Sequence, residues 1–250
     1  MRYIKSCKGV LKRFFCEAYF LYEGNDIRNR KIGGIKMLLY LSSYKLGNKT
    51  DILKKWIKEN GKTIVIITNS RDWTPDTVEK EKSIKRDITE LQELGFNVVR
   101  VDLRNYFGNK VKLREDLEKY NAFYVIGGNT YTLRMAMKYS GFDEYIKGIS
   151  NKSNYLYSGY SAGICVLSQD LGGLDLVDEP INPYTKEPVL YDGLGLIDFV
   201  PVPHYKSDHP ESALVDKVVA VFNEKGIKYK ALKDREVIVQ DTERNEKNEF

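Results

Sequence analysis

From Met37 onward the chain alternates short, continuously apolar runs with segments whose apolar positions recur every three to four residues. Residues 37–41 (MLLYL), 63–68 (TIVIIT), 97–103 (NVVRVDL), 122–126 (AFYVI) and 154–158 (NYLYS) are the expected strands. Apolar runs without polar alternation suit strands covered on both faces, and the β-branched content of 63–68 reinforces this. Helices are expected over 49–60, where Ile52, Leu53, Trp56 and Ile57 share a face and Gly61 ends the turn, and from the loop 69–76 through about Leu94, where Ile84, Ile88, Leu91 and Leu94 line up and Gly95 follows. A short helix over 113–119 and a longer one over 130–139 complete the series. This rhythm predicts an α/β fold: a mostly parallel, doubly wound sheet with helices on both faces, three layers in all, joined by right-handed crossovers. Ligands of such sheets bind beyond the carboxyl ends of the strands, which directs attention to the loops after the fourth and fifth strands. Residues 172–195, rich in Gly, Pro and Asp and without periodicity, read as a long irregular excursion of the kind that often carries function.

Charge divides the chain. It has 250 residues, 40 Lys+Arg and 35 Asp+Glu, for a net charge of +5. Residues 1–36 hold nine basic and three acidic residues, +6, which leaves −1 for the rest. The body therefore has no electrostatic footprint for nucleic acid. The basic segment 1–36 is expected to be a poorly ordered extension, or upstream sequence before a true start at Met37. Phe14, Phe15, Tyr19, Phe20 and Leu21 beside Lys12 and Arg13 also suit a helix lying on a membrane surface. Residues 37–241 are expected to form a single α/β domain, and 242–250 a frayed polar tail. No apolar run is long enough for a transmembrane helix. Three cysteines (Cys7, Cys16, Cys165) make no disulfide framework, and no Cys/His cluster suggests zinc. A cytoplasmic protein needing neither metal nor cofactor is expected.

The chemistry-bearing motif is Gly159-Tyr160-Ser161-Ala162-Gly163. G-x-S-x-G is a weak signal alone, but here an apolar run precedes it and an apolar helical start, Ile164 to Leu167, follows. A strand, a strained tight turn and a helix hold a serine hydroxyl above the sheet, and small neighbours are what such a turn demands. A second turn, Gly127-Gly128-Asn129-Thr130, follows the fourth strand. If the two strands are neighbours, the Gly128 and Ala162 N–H groups can form a two-donor oxyanion hole. Serine needs a base. The only histidines are His204, at the end of an apolar segment, and His209, in a loop before a helix; His204 is preferred. For the acid that orients it, Asp170, Asp175, Asp178, Glu179, Glu187, Asp192 and Asp198 all lie between serine and histidine, and spacing does not choose among them.

Gly-Gly-Asn-Thr (127–130), Gly-Tyr-Ser-Ala-Gly (159–163) and Pro-His-Tyr (203–205), in this order, resemble peptidase E, the aspartyl dipeptidase family that includes cyanophycinases. The resemblance covers about residues 37–241. It implies a class I glutamine amidotransferase-like fold with serine in place of cysteine, Ser161 as nucleophile, His204 as base, and Gly128 and Ala162 as oxyanion donors. It points to Asp175 as the acid, with Asp178 as the fallback. Asn129 and Tyr160, beside the donors, are the expected substrate contacts. The expected activity is hydrolysis of dipeptides or other small peptides through an acyl-enzyme, by a monomer or homodimer. One feature departs from the family: its substrate-binding Arg in the helix after the histidine has no counterpart in residues 210–217, where Lys206 or Lys217 is the nearest substitute, so strict Asp-X specificity is not expected. The alternatives are an α/β-hydrolase-type esterase, which shares G-x-S-x-G, and a non-catalytic amidotransferase-like binding protein.

Overall fold

A computed structural model describes residues 37–241; the readings for 1–36 and 242–250 lie outside the described residues. Within them, β1 (Leu38–Ser42), α1 (Thr50–Asn60), β2 (Thr63–Ile67), α2 (Val78–Leu94), β3 (Asn97–Val101), α3 (Lys110–Leu117), β4 (Ala122–Val125) and α4 (Thr130–Ser140) follow the expected alternation. Then come α5 (Phe142–Ile149), β5 (Leu156–Tyr160), the one-turn α6 (Ala162–Cys165), β6 (Val200–Val202), α7 (Ser212–Lys225), β7 (Tyr229–Ala231) and β8 (Val237–Asp241). The main sheet has the order β3-β2-β4-β5-β1-β8. Its first five strands pair in parallel and β8 is antiparallel to β1 at the edge. The fold is the three-layer α/β arrangement expected.

Strand alternation sorts side chains between two cores. Leu39 and Leu41, Val65 and Ile67, and Phe123 and Val125 face one helical layer, while Tyr40, Ile64, Ile66, Ala122 and Tyr124 face the other. Helix ends follow from capping: Thr77 accepts from the Lys80 N–H and opens α2, Asn129 accepts from the Thr132 N–H and opens α4, and Gly95 and Gly141 end α2 and α4 in left-handed conformations.

Four differences from the sequence expectation have local causes. The run 97–103 leaves the strand at Val101, because Asp102 accepts the Arg104 N–H and starts a 3₁₀ turn, Leu103–Tyr106. β5 lies two residues later than expected and runs to the residue before Ser161. Helix α5 begins immediately at Gly141, which ends α4. A small parallel sheet of β6 and β7 stands apart from the main one and carries the chain beyond residue 202 toward its carboxyl rim.

Residues 172–195 contain one 3₁₀ turn, Leu174–Leu176, and an isolated bridge pairs Asp170 with Asp192. The excursion is fastened to α4. The Arg134 guanidinium, 3% exposed with its residue, donates to the Asp192 carbonyl at 2.7 Å and to the buried Asp143 carboxylate at 2.9 Å. Asn129 and Thr132 donate to the carbonyls of Glu179 and Ile181. Removing one partner of a buried pair strands the other charge, at a cost of about 3–5 kcal/mol. Arg134→Met should therefore lose stability of about that size in urea unfolding, whereas Asp192→Asn, which leaves the buried Arg134–Asp143 pair intact, should lose about 1 kcal/mol or less.

Candidate active site

Ser161 follows β5 directly and has φ 49°, ψ −120°, a backbone conformation that costs an L-residue about 1–3 kcal/mol. Both motif glycines are needed by the packing beneath it. A Cβ at Gly159 would stand 2.4 Å from the Val125 carbonyl oxygen and one at Gly163 2.1 Å from it, so the turn is pressed against the end of β4. β4 and β5 are parallel neighbours, with Val125 opposite Gly159, and this brings Gly127 and Gly128 beside Ser161. A Cβ at Gly127 would meet the Tyr160 ring at 2.6 Å and the Ser161 Cβ at 2.9 Å. Gly128 and Ser161 line one cleft of about 700 Å³, together with His204, His209, Tyr44, Arg71, Asn129, Asp178 and Glu211.

His204 is 2% exposed and holds a positive φ of 62°. The small sheet sets its place: Leu232 N–H donates to Val202 O, and Tyr205 N–H to Leu232 O. Ser43, at the end of β1, accepts the His204 N–H at 2.9 Å and donates to the Leu232 carbonyl at 3.2 Å. The His204 ring Nδ1 is 2.7 Å from Asp234 Oδ1. Burial pulls the His204 pKa below its ordinary 6.5, and the Asp234 hydrogen bond opposes that pull. The His209 ring lies flat on the His204 ring, 3.7 Å between centroids and 15° between planes, and Tyr44 meets both edge-on.

The structure brings Asp234, and not Asp175, to His204. Asp175 accepts the Gly173 N–H in the exposed start of the excursion. Asp178 lines the cleft, but its carboxylate accepts the Thr130 N–H at the start of α4, and burial raises its pKa to about 6. The search for an acid between serine and histidine missed Asp234 because the residue follows the histidine and reaches it only through the β6–β7 pairing. Asn129 faces the cleft with its side chain already engaged as the cap of α4 and as donor to Glu179 O. Tyr160 lines the cleft, with its hydroxyl bonded to the buried Asp87 at 3.1 and 3.2 Å. Cys165 is buried, its thiol held protonated by that burial and turned to the Pro201 carbonyl.

Among the described residues, His204, His209 and Glu211 have donor atoms within 4.8 Å of one another. Face-to-face imidazoles project their in-plane lone pairs side by side rather than to a common point, so the stack as it stands is not a metal-ligating arrangement.

The family model of peptidase family S51 matches residues 41–246. The chain belongs to peptidase family S51. It is 30% identical over 185 residues to an uncharacterized peptidase of Listeria innocua, covering 73% of this chain and 83% of that protein. It is 30% identical over 166 residues to another of Listeria monocytogenes, covering 65% of this chain and 74% of that one. A crystal structure of a Listeria monocytogenes protein assigned provisionally to peptidase E superposes with a TM-score of 0.63 at 24% identity, over 82% of this chain and 98% of that one. A peptidase from an acI-B1 Actinobacterium superposes with a TM-score of 0.56 at 16% identity, over 83% and 84%. Both share the fold. The S51 assignment makes the chain a peptidase E-like serine peptidase. Among the described residues no helix is long and apolar enough to cross a membrane.

If the strained turn at Ser161 is built for reaction rather than stability, its strain is releasable. Ser161→Gly and Ser161→Ala should both lack hydrolysis, yet the glycine variant should melt at the higher temperature, because glycine adopts φ 49° freely and alanine does not.

Proposed function

We propose that the protein hydrolyses small peptides through an acyl-enzyme on Ser161, with His204 as the base and Asp234 as the acid that orients it. The carrying observation is the 2.7 Å contact between His204 Nδ1 and Asp234 Oδ1, on a histidine that shares a cleft with a serine in a strained strand-to-helix turn. A carboxylate on Nδ1 fixes the tautomer that leaves Nε2 free to accept the serine proton, and it stabilises the imidazolium that forms. The Ser161 oxygen attacks the scissile carbonyl carbon while its proton passes to His204. The oxyanion settles on the Gly128 and Ala162 N–H groups, neither of which has an acceptor among the described residues. His204 then protonates the leaving amine, and water repeats the cycle on the acyl-enzyme.

The substrate class follows from the cleft walls. Asp178 and Glu211 lie on one side, Glu211 with its pKa raised by burial. The basic residues that also line the cleft, Arg71 and Lys80, already donate to Gly127 and Tyr160 and to Asp72 and Asp76. A carboxylate side chain placed against Asp178 and Glu211 is repelled, so the favoured acyl-side residue is neutral or cationic rather than Asp.

Ser161→Ala should lower kcat roughly 10⁶-fold. Asp234→Asn should lower it about 10⁴-fold, since the wrong tautomer then faces the serine, while Asp175→Ala stays near the parent rate. Steady-state assays on a dipeptide library decide between the two acids. The base is active when neutral and its pKa is depressed, so kcat/KM should rise with pH through a midpoint below 6.5 and hold its plateau above that value. Within the library, Asp-Leu should have a kcat/KM at least about tenfold below Ala-Leu or Lys-Leu, and Glu211→Gln should narrow the gap. A preference for Asp-Leu would refute the substrate reading and leave the catalytic one standing.

A further inference from the structure

The geometry points to Arg71 as a positioning residue that sets the oxyanion hole by holding the Gly127–Gly128 peptide; this rests on the reading of Ser161 as nucleophile and Gly128 as donor. Arg71 ends the 3₁₀ turn Asn69–Arg71 that follows β2. Its Nε donates to the Gly127 carbonyl at 2.5 Å. The neighbouring Ser70 hydroxyl lies 2.9 Å from the Ile126 carbonyl and 3.0 Å from that of Gly127. The described chain has no cis peptide, and in a trans peptide the C=O and the following N–H point in opposite directions. Pulling the Gly127 oxygen toward Arg71 and Ser70 therefore turns the Gly128 N–H the other way.

The next link is also held. The Asn129 N–H donates to the Ser70 carbonyl at 2.8 Å, and a Cβ at Gly128, whose φ is 155°, would stand 2.3 Å from that same oxygen. The Gly128 peptide is clamped on both sides, and its N–H has no acceptor among the described residues.

The same guanidinium reaches the nucleophile's strand. Arg71 Nη2 is 3.2 Å from the Tyr160 hydroxyl, which bonds the buried Asp87, and Asp87 pairs with Lys45 at 2.6 Å. One side chain thus spans from the carbonyl behind the Gly128 donor to the residue before Ser161. Lysine has one ammonium and no planar fork, so it cannot hold both acceptors in this geometry.

The test uses a fluorophosphonate, which needs no knowledge of the peptide substrate. Ser161 forms an O–P bond, the P–F bond breaks, fluoride leaves, the serine proton passes to His204, and the phosphoryl oxygen occupies the oxyanion position. In the full chain, Arg71→Ala and Arg71→Lys should both lower the maximal inactivation rate about 10²-fold, the size of losing one oxyanion donor, with the half-saturating reagent concentration changed less than about threefold. Near-parent rates in Arg71→Ala would overturn the inference. So would restoration by Arg71→Lys, which would assign the effect to charge, or a loss confined to reagent affinity, which would assign it to binding. If Arg71→Ala does not fold, Tyr160→Phe removes the second anchor while keeping the ring, and it should slow inactivation about tenfold; an unchanged rate there also overturns the inference. Absence of labelling at Ser161 in the parent protein would instead refute the nucleophile reading beneath it.

Discussion

The contact on which the site depends is the seating of the β5 turn on the last carbonyl of β4. Gly159 and Gly163 both lie so close to Val125 O that neither position admits a Cβ. That closeness is steric, and it is what holds Ser161 in a conformation it would otherwise leave. It also aligns two consecutive parallel strands so that the Gly127–Gly128 turn after one lies beside Ser161 after the other. The other groups of the cleft must then be brought to that rim.

They arrive by different routes. His204 comes from the small β6–β7 sheet, and Ser43 at the end of β1 ties that sheet to the large one through the His204 N–H and the Leu232 carbonyl. Burial and hydrogen bonding act on the imidazole in opposite senses: the apolar surroundings favour the neutral ring, and the Asp234 carboxylate favours the charged one. Such a balance suits the base proposed for this site, which must accept a proton and then carry it. The flat stack with His209 and the edge contacts with Tyr44 leave the ring few alternative orientations.

The fold was legible because its signals are local. The run 122–126 is apolar throughout and 63–68 is apolar between its terminal threonines, as strands between two helical layers require, and α2 shows its inward stripe at Ile84, Ile88 and Leu91. Ser161 and His204, the proposed nucleophile and base, stand out in the sequence for the same reason, one in a five-residue motif and the other at the end of an apolar run. Asp234 does not, since nothing in its neighbourhood marks it: it becomes special only when β7 pairs with β6 and returns the chain to the histidine. Asp175 was favoured by the family resemblance, and the fold turns that stretch outward, where its carboxylate closes a local turn. Arg71 belongs with Asp234, an ordinary loop residue until β2 and β4 are side by side. Helix α5 was not among the expected elements; Gly141 ends the preceding helix and caps this one, and Gly148 has open space around it.

The excursion between residues 172 and 195 supplies Val177, Asp178 and Glu179 to one wall of the cleft while giving no group to the Ser161–His204–Asp234 set. It is attached to α4 by a few discrete bonds from Asn129, Thr132 and Arg134 rather than by strand pairing within the sheet. The two acids of the cleft thus come from different stretches: Asp178 rides on this loop, and Glu211 on the segment that also carries His204 and His209. A change confined to the loop would therefore remodel the cleft at Val177, Asp178 and Glu179 and leave Glu211 where the histidine segment holds it.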